Sequence, residues 1–372
     1  MGSGFVNEET EVVVDTLELG AVESRSFSAF SGNYPFLSAG TFDDPLFGRL
    51  MAVGYLKPVL PNISEDVTFR ANAEMSMDIR IDQSRVYGDS LANVRYDLVD
   101  VGELWRGGSM KIDDRVALGE ATIGSFTIGT HTQVSVDLSR EWVDSYRNFY
   151  ENRESNRDSL YRVDFHGLAL MARESGKILP INTDESQFVV HNPGGDTLNI
   201  GLSTWGYTLE RDNVPEFLGQ SSLHGTLEQV LKVELDTLND AGNAQNISRV
   251  ELVIYEDSLL MESSLDDLSG SATRPDMPRL RLQRVEQGTT PESIDPGSAV
   301  AMGHYDPRDQ AFHFDLTDFV RGGGLQADGG YEYYVTGPAH GGVIRSSLLF
   351  NDKAPYDKRP KLILTSIQTV SN

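Results

Sequence analysis

Apolar residues that recur at every second position govern most of this chain, and that period leaves few folds open to it. Ala73, Met75, Met77, Ile79 and Ile81 alternate with polar or charged residues, as a strand with one wet face requires. The same period runs through Val12 and Val14, through Val94, Tyr96 and Leu98, through Val134, Val136 and Leu138, and through Leu198, Ile200 and Leu202. It returns at Val250, Leu252 and Ile254, at Phe312, Phe314 and Leu316, at Tyr331, Tyr333 and Val335, and at Leu362 and Leu364. Clusters of Gly, Asp, Asn and Pro separate these runs, which predicts many short strands packed as sandwiches rather than a parallel sheet wrapped in helices. Helical periodicity is confined mainly to residues 141–151, where Trp142, Tyr146, Phe149 and Tyr150 share one stripe behind Ser139 as an N-cap.

At 372 residues the chain exceeds one ordinary domain, and its two halves look like distant copies. Val136-Asp137-Leu138-Ser139 follows the strand at Met75 to Ile81, and Phe314-Asp315-Leu316-Thr317 follows the strand at Val250 to Ile254 by a similar gap. Each leads into a short amphipathic segment, Trp142 onward in one and Phe319, Val320 in the other. The expectation is therefore an all-β chain of two tandem related, jelly-roll-like β-sandwich halves with one short helix. Residues 1–30 are N-terminal strands or linker, 31–192 the first sandwich and 193–372 the second. The join is expected between His191 and Asp196, at the turn sequence Asn192-Pro193-Gly194-Gly195.

With 56 Asp and Glu against 31 Lys and Arg, a formal charge of −25 repels phosphate backbones and anionic headgroups, so nucleic acid is not an expected partner. The scattered carboxylates read as a solubilising, halophile-like surface, with divalent-cation binding by acidic loops as the sharper alternative. The absence of cysteine removes disulfides, thiolate nucleophiles and zinc knuckles at once. No stretch is long and apolar enough for a membrane helix, and residues 1–30 are not expected to act as a signal peptide, since no positively charged start leads into a hydrophobic region.

Searches for chemistry return little. The surroundings of Ser203 and Ser221 miss the Gly-x-Ser-x-Gly spacing, and neither a Walker loop nor a zinc-binding His pair is present. Gly322-Gly323-Gly324 reads as a helix stop. His166, His313 and His340 lie in or beside strands and read as structural. Cofactors are expected to be none, with calcium as the open exception at Asp43 and Asp44, Asp113 and Asp114, Asp236 with Asp240, or Asp266 and Asp267. Trp105, Trp205 and the group Tyr331, Tyr333 and Tyr334 are candidate stacking surfaces for a sugar ring, against a core reading for each. Strand alternation makes Tyr331 and Tyr333 the expected core pair and Tyr334 the exposed member.

The run Leu37 to Arg49, with Asp44-Pro45-Leu46-Phe47-Gly48 at its end, resembles the opening of an uncharacterised Bacteroidota surface lipoprotein family, a domain of unknown function. Tyr87-Gly88-Asp89-Ser90 before Val94, Tyr96 and Leu98 is similar to that family's Tyr-Gly-Asp turn, and Phe165-His166-Gly167-Leu168 to its Phe-x-Gly-Leu strand. The strands at Arg249 to Ile254 and Arg359 to Leu364 also resemble secreted β-sandwich modules found beside carbohydrate-active domains. The resemblance implies an extracytoplasmic protein of the outer membrane or cell surface, anchored through a lipid on its precursor, with the motif residues serving as a structural turn. Function is expected to be non-enzymatic, structural or adhesive, with a surface glycan or protein as partner. The alternatives are a carbohydrate-binding surface protein and a glycan-cleaving enzyme.

Overall fold

The computed structural model describes residues 9–61, 69–151, 157–235, 247–266, 268, 270–288, 299–324, 330–338 and 341–370. Strand accounts for 52% and helix for 13%, in large curled antiparallel sheets of the expected all-β class.

The first unit begins with the hairpin β3 (Phe36–Asp44) and β4 (Gly48–Pro58). Both are buried nearly throughout because the sheet is covered on each face, so they carry no alternation and escaped the period-two reading. β5 (Glu74–Arg80), the short β6 (Tyr87–Asp89), β7 (Val94–Val101), β8 (Leu118–Ile128) and β9 (Gln133–Asp137) follow. α1 (Arg140–Glu151) and α2 (Arg157–Asp164) then lead to β10 (Leu168–Ala172), β11 (Lys177–Asn182) and β12 (Gln187–His191). β13 (Thr197–Ile200) and β14 (Leu202–Asp212) complete the unit, β13 on β12 and β14 on β4. One layer is the sheet β13-β12-β5-β9, and the other is built on β11-β3-β4-β10-β7-β8. Between them lies a core that includes Leu56, Met77, Ile79, Tyr96 and Phe188, all at most 1% exposed. The α1 aromatics plug its end, where Trp142 stacks on Tyr146 at 6.0 Å and on Phe188 at 5.8 Å.

The second unit repeats this plan. It contains β15 (Gln220–His224), β16 (Gln229–Val233), β17 (Ile247–Tyr255), α3 (Ser258–Asp266), β18 (Ala272–Thr273) and β19 (Arg279–Glu286). β20 (Ala299–Asp306), β21 (Ala311–Asp315), α4 (Thr317–Arg321), β22 (Tyr331–Thr336), β23 (Ser346–Phe350) and β24 (Lys361–Val370) complete its own share of the chain. The pairings β3-β11, β4-β10, β10-β7 and β7-β8 correspond to β15-β23, β16-β22, β22-β19 and β19-β20. Likewise β5-β9 and β5-β12 correspond to β17-β21 and β17-β24. Registers agree in detail: Leu138 N–H donates to Met75 O at 2.9 Å, and Leu316 N–H to Val250 O at 2.9 Å. The second core gathers Leu231, Val250, Leu252, Leu282, Phe312 and Phe314.

The N-terminal strands β1 (Glu9–Glu18) and β2 (Val22–Ser26) do not serve the first unit. They pair with β24 and β16 of the second, the places that β13 and β14 take in the first. The expected join at His191 to Asp196 is instead the turn of the β12-β13 hairpin, where His191 pairs with Thr197. Gly and Pro there mark a tight turn, which sequence cannot distinguish from a linker. The chain leaves the first unit only after Asp212, which pairs with Arg49.

Helix also extends beyond the single expected segment, since α2 and α3 are present. Each is a short excursion between strands, with only part of one face covered, too brief to impose a clear 3.6 period.

At the junction of the units the counterparts β6 and β18 pair with each other, antiparallel. Beside them Asp44, with a fully buried side chain, accepts from Arg274 Nε at 2.7 Å and Nη2 at 2.8 Å. Tyr87 Oη donates to the same carboxylate at 2.8 Å, and the backbone N–H groups of Leu46 and Phe47 complete the turn. Gly48 follows at φ 74, and a Cβ there would lie 2.3 Å from Asp212 O, so only glycine lets β14 approach.

Candidate functional site

The residues proposed from sequence do not gather at one place. On β22, Tyr334 is 4% exposed, against Phe27 at 6.3 Å and beside Val230 and Val285, with its hydroxyl donating to Glu332 at 2.7 Å. Tyr331 is the exposed member at 39%, and the Arg284 guanidinium covers its ring at 3.6 Å. Tyr333 is half-buried, edge-on to Phe319 of α4. The expectation fails at Tyr334 and Tyr331 and holds for Tyr333, which packs against the second core; Tyr334 is buried because Phe27, just beyond β2, roofs the face that was taken for solvent. Trp205 sits on β14, packed against the first core with its indole N–H donating to Tyr34 O at 2.6 Å.

The acidic candidates fare differently from one another. Asp44 is not a calcium ligand in waiting, since Arg274, Tyr87 and two backbone N–H groups occupy its oxygens. Asp43 points outward, 3.7 Å from Arg49. Asp236 and Asp240 lie outside the described residues, as do Asp267 and His340. Among the described residues no three His, Asp or Glu side chains are grouped to hold a metal ion. His166 has Val163 O at 2.9 Å and Val101 O at 3.3 Å facing its two ring nitrogens, a structural arrangement.

Trp105 lines a cleft. The loop after β7 folds its indole onto Tyr55 of β4 at 5.8 Å, and the indole N–H donates to His166 O at 2.8 Å. The cavity beside it has a volume of about 580 Å³, and its lining includes Lys57, Leu60, Arg106, Gly107, Gly108, Arg162, His166, Ser203 and Thr204. Lys57, at the end of β4, donates to Tyr161 O at 2.8 Å, near the C-terminus of α2, and its ammonium lies 4.4 Å from the Tyr161 ring centre. Burial, then the charge of Arg162, lower its pKa to about 8. Arg106 lies 3.8 Å from Asp114 but remains largely open to solvent. No carboxylate is among the described residues that line the cavity.

Sequence reading missed this cationic group because its members are far apart. Lys57, Arg106 and Arg162 come from β4, a loop and α2, and only the antiparallel neighbourhood of β4, β10 and β14 brings them together. The nearest signal was Trp105-Arg106-Gly107-Gly108, an aromatic and a cation ahead of two small residues in a loop.

A scan of protein-family models and a search of curated proteins find no match to the chain.

Proposed function

We propose that this is a non-enzymatic protein of the outer membrane or cell surface, structural or adhesive in role, that engages acidic glycans through the Trp105 cleft. The observation that carries the reading is an inversion of charge: Lys57, Arg106 and Arg162 line a cavity that has no carboxylate among its described lining residues, in a chain of formal charge −25. A surface this acidic repels anions generally, so a cationic concavity selects where one is held. Leu60 and Trp105 supply apolar walls, while Ser203 and Thr204 supply hydroxyls. That combination suits a sugar ring bearing a carboxylate or sulfate.

A glycan array probed with the purified chain tests this. Uronate- or sulfate-bearing glycans should be retained over neutral ones of equal length, and Arg106→Gln with Arg162→Gln should lose that retention while keeping the wild-type melt. Equal retention of neutral and acidic glycans would contradict the reading. A retained glycan should also survive prolonged incubation intact; its hydrolysis would favour a glycan-cleaving enzyme.

A further inference from the structure

Each unit of this fold is completed by a ribbon of two consecutive strands, paired with strands of the unit and not with each other, whose chain runs on directly into the other unit. β13-β14 lies on β12 and β4 of the first unit and continues into β15 of the second. β1-β2 lies on β24 and β16 of the second unit and continues into β3 of the first. The two units are therefore joined by two crossings, Phe27–Pro35 and Asn213–Gly219.

The crossings differ in how firmly they are held. In the first, Phe27 N–H donates to Glu228 O at 2.8 Å, Ser31 N–H donates to Met110 O at 2.7 Å, and Phe30 forms a bridge with Lys111. Phe27 is thus held on the second unit and Phe30 and Ser31 on the first, so this crossing is a very short span anchored at both ends. The second crossing has no regular structure from Val214 to Phe217, holds Asn213 at φ 54, and leaves Leu218 83% exposed. If the path of residues 213–218 changes, a first unit with its ribbon can sit on the second unit of another copy and keep its contacts. The β1-β24 and β2-β16 ladders, the β6-β18 pair and the Asp44–Arg274 ion pair would all re-form between chains. Such an exchange re-forms those contacts and puts at risk only the hinge's own, chiefly Phe217 against the first core, so concentration and the strain of the hinge decide between one copy and two.

We propose that a second copy of this chain is a partner of the protein, docking by reciprocal exchange of the β1-β2 ribbon and first unit, with residues 213–218 as the hinge. The product is a closed dimer in which each second unit is completed by the neighbour's ribbon. The inference stands on strand order and is independent of the glycan reading.

The chain has no cysteine, which makes the test clean. Val13 of β1 faces Ser366 of β24 in register. V13C protein and S366C protein, mixed at high concentration and then oxidised, should give the mixed interchain disulfide. The yield should be at least tenfold above that from V13C mixed with R308C, an exposed position away from that ladder. Deleting Val214 and Pro215 from the otherwise native chain should shift it from monomer to dimer in light scattering, since a shortened hinge strains only the closed monomer. Cross-linking at the control level, or a monomer after hinge shortening with the wild-type strand spectrum retained, would overturn the proposal.

Discussion

Asp44 is buried, and burial alone would keep its carboxyl protonated; the Arg274 guanidinium and the hydrogen bonds from Leu46 and Tyr87 outweigh that and hold its pKa below the ordinary carboxylate value. Its folded pKa lies below its unfolded one, so its contribution is complete above the unfolded value and fades as pH falls through the folded value. Arg274→Met, which strands the carboxylate, should cost about 3 to 5 kcal/mol in urea melts, and adding Asp44→Asn should recover part of it. Glu256 has the opposite sign. It stands where the first unit has Ile81, since Ile81 bridges Ile181 and Glu256 bridges Leu349. Burial raises its pKa despite a hydrogen bond from Ser347. Glu256→Gln should therefore raise the melting temperature at pH 8 and leave it unchanged in acid, where the wild-type carboxyl is already protonated; an equal effect at both would contradict this. Lys57 bears on binding: its pKa near 8 means that an anion in the cleft favours the charged form, so affinity should fall as pH rises through about 8. A pH-independent affinity between 7 and 9 would count against Lys57 as a contact.

The alternating runs at Met75 to Ile81 and Val250 to Ile254 became β5 and β17, although the far face of β17 is covered as well, by a cluster of Val253, Tyr255 and Ala311. The half-wet strands β8 and β19 were not read from the sequence. β3 and β4 were not seen as strands because both sides are sealed, and β22 was misread for a related reason. Alternation tells which tyrosines share a face but not which face is roofed, and Phe27 arrives from a strand some 300 residues earlier in the chain. Tyr334→Ala should consequently cost about 3 to 5 kcal/mol, whereas Tyr331→Ala should cost far less. The Asp44 turn shows a similar limit: its motif was visible as a turn, yet its partners Tyr87 and Arg274 lie 43 and 230 residues away. The edge strand β1 carries outward Val12 and Val14, 63% and 60% exposed, but also Glu11, Asp15 and Glu18. These charges guard an otherwise sticky edge, and Glu11→Val with Asp15→Val should promote aggregation, measured by light scattering.

For the whole molecule, charge is the dominant long-range term. A formal −25 makes the compact state repel itself, so the melting temperature should rise between dilute and molar sodium chloride; a flat or falling curve would count against a salt-adapted surface. Composition disclosed that field but not the cationic cleft, because a cleft is a property of how β4, the loop after β7 and α2 converge. The two-unit plan was partly legible through the Asp-Leu-Ser and Asp-Leu-Thr echoes at Asp137 and Asp315. The crossing of the N-terminal ribbon to the far unit was not, since strand pairing over such separations leaves no local trace. The cationic cleft is the claim on which function rests, and calorimetric titration with an oligouronate tests it most directly. The account predicts saturable binding to the wild-type protein, weakened at least tenfold by Arg106→Gln with Arg162→Gln and absent for a neutral oligosaccharide of the same length. Equal affinity of the wild-type and double variant, or equal affinity for the neutral sugar, would contradict it.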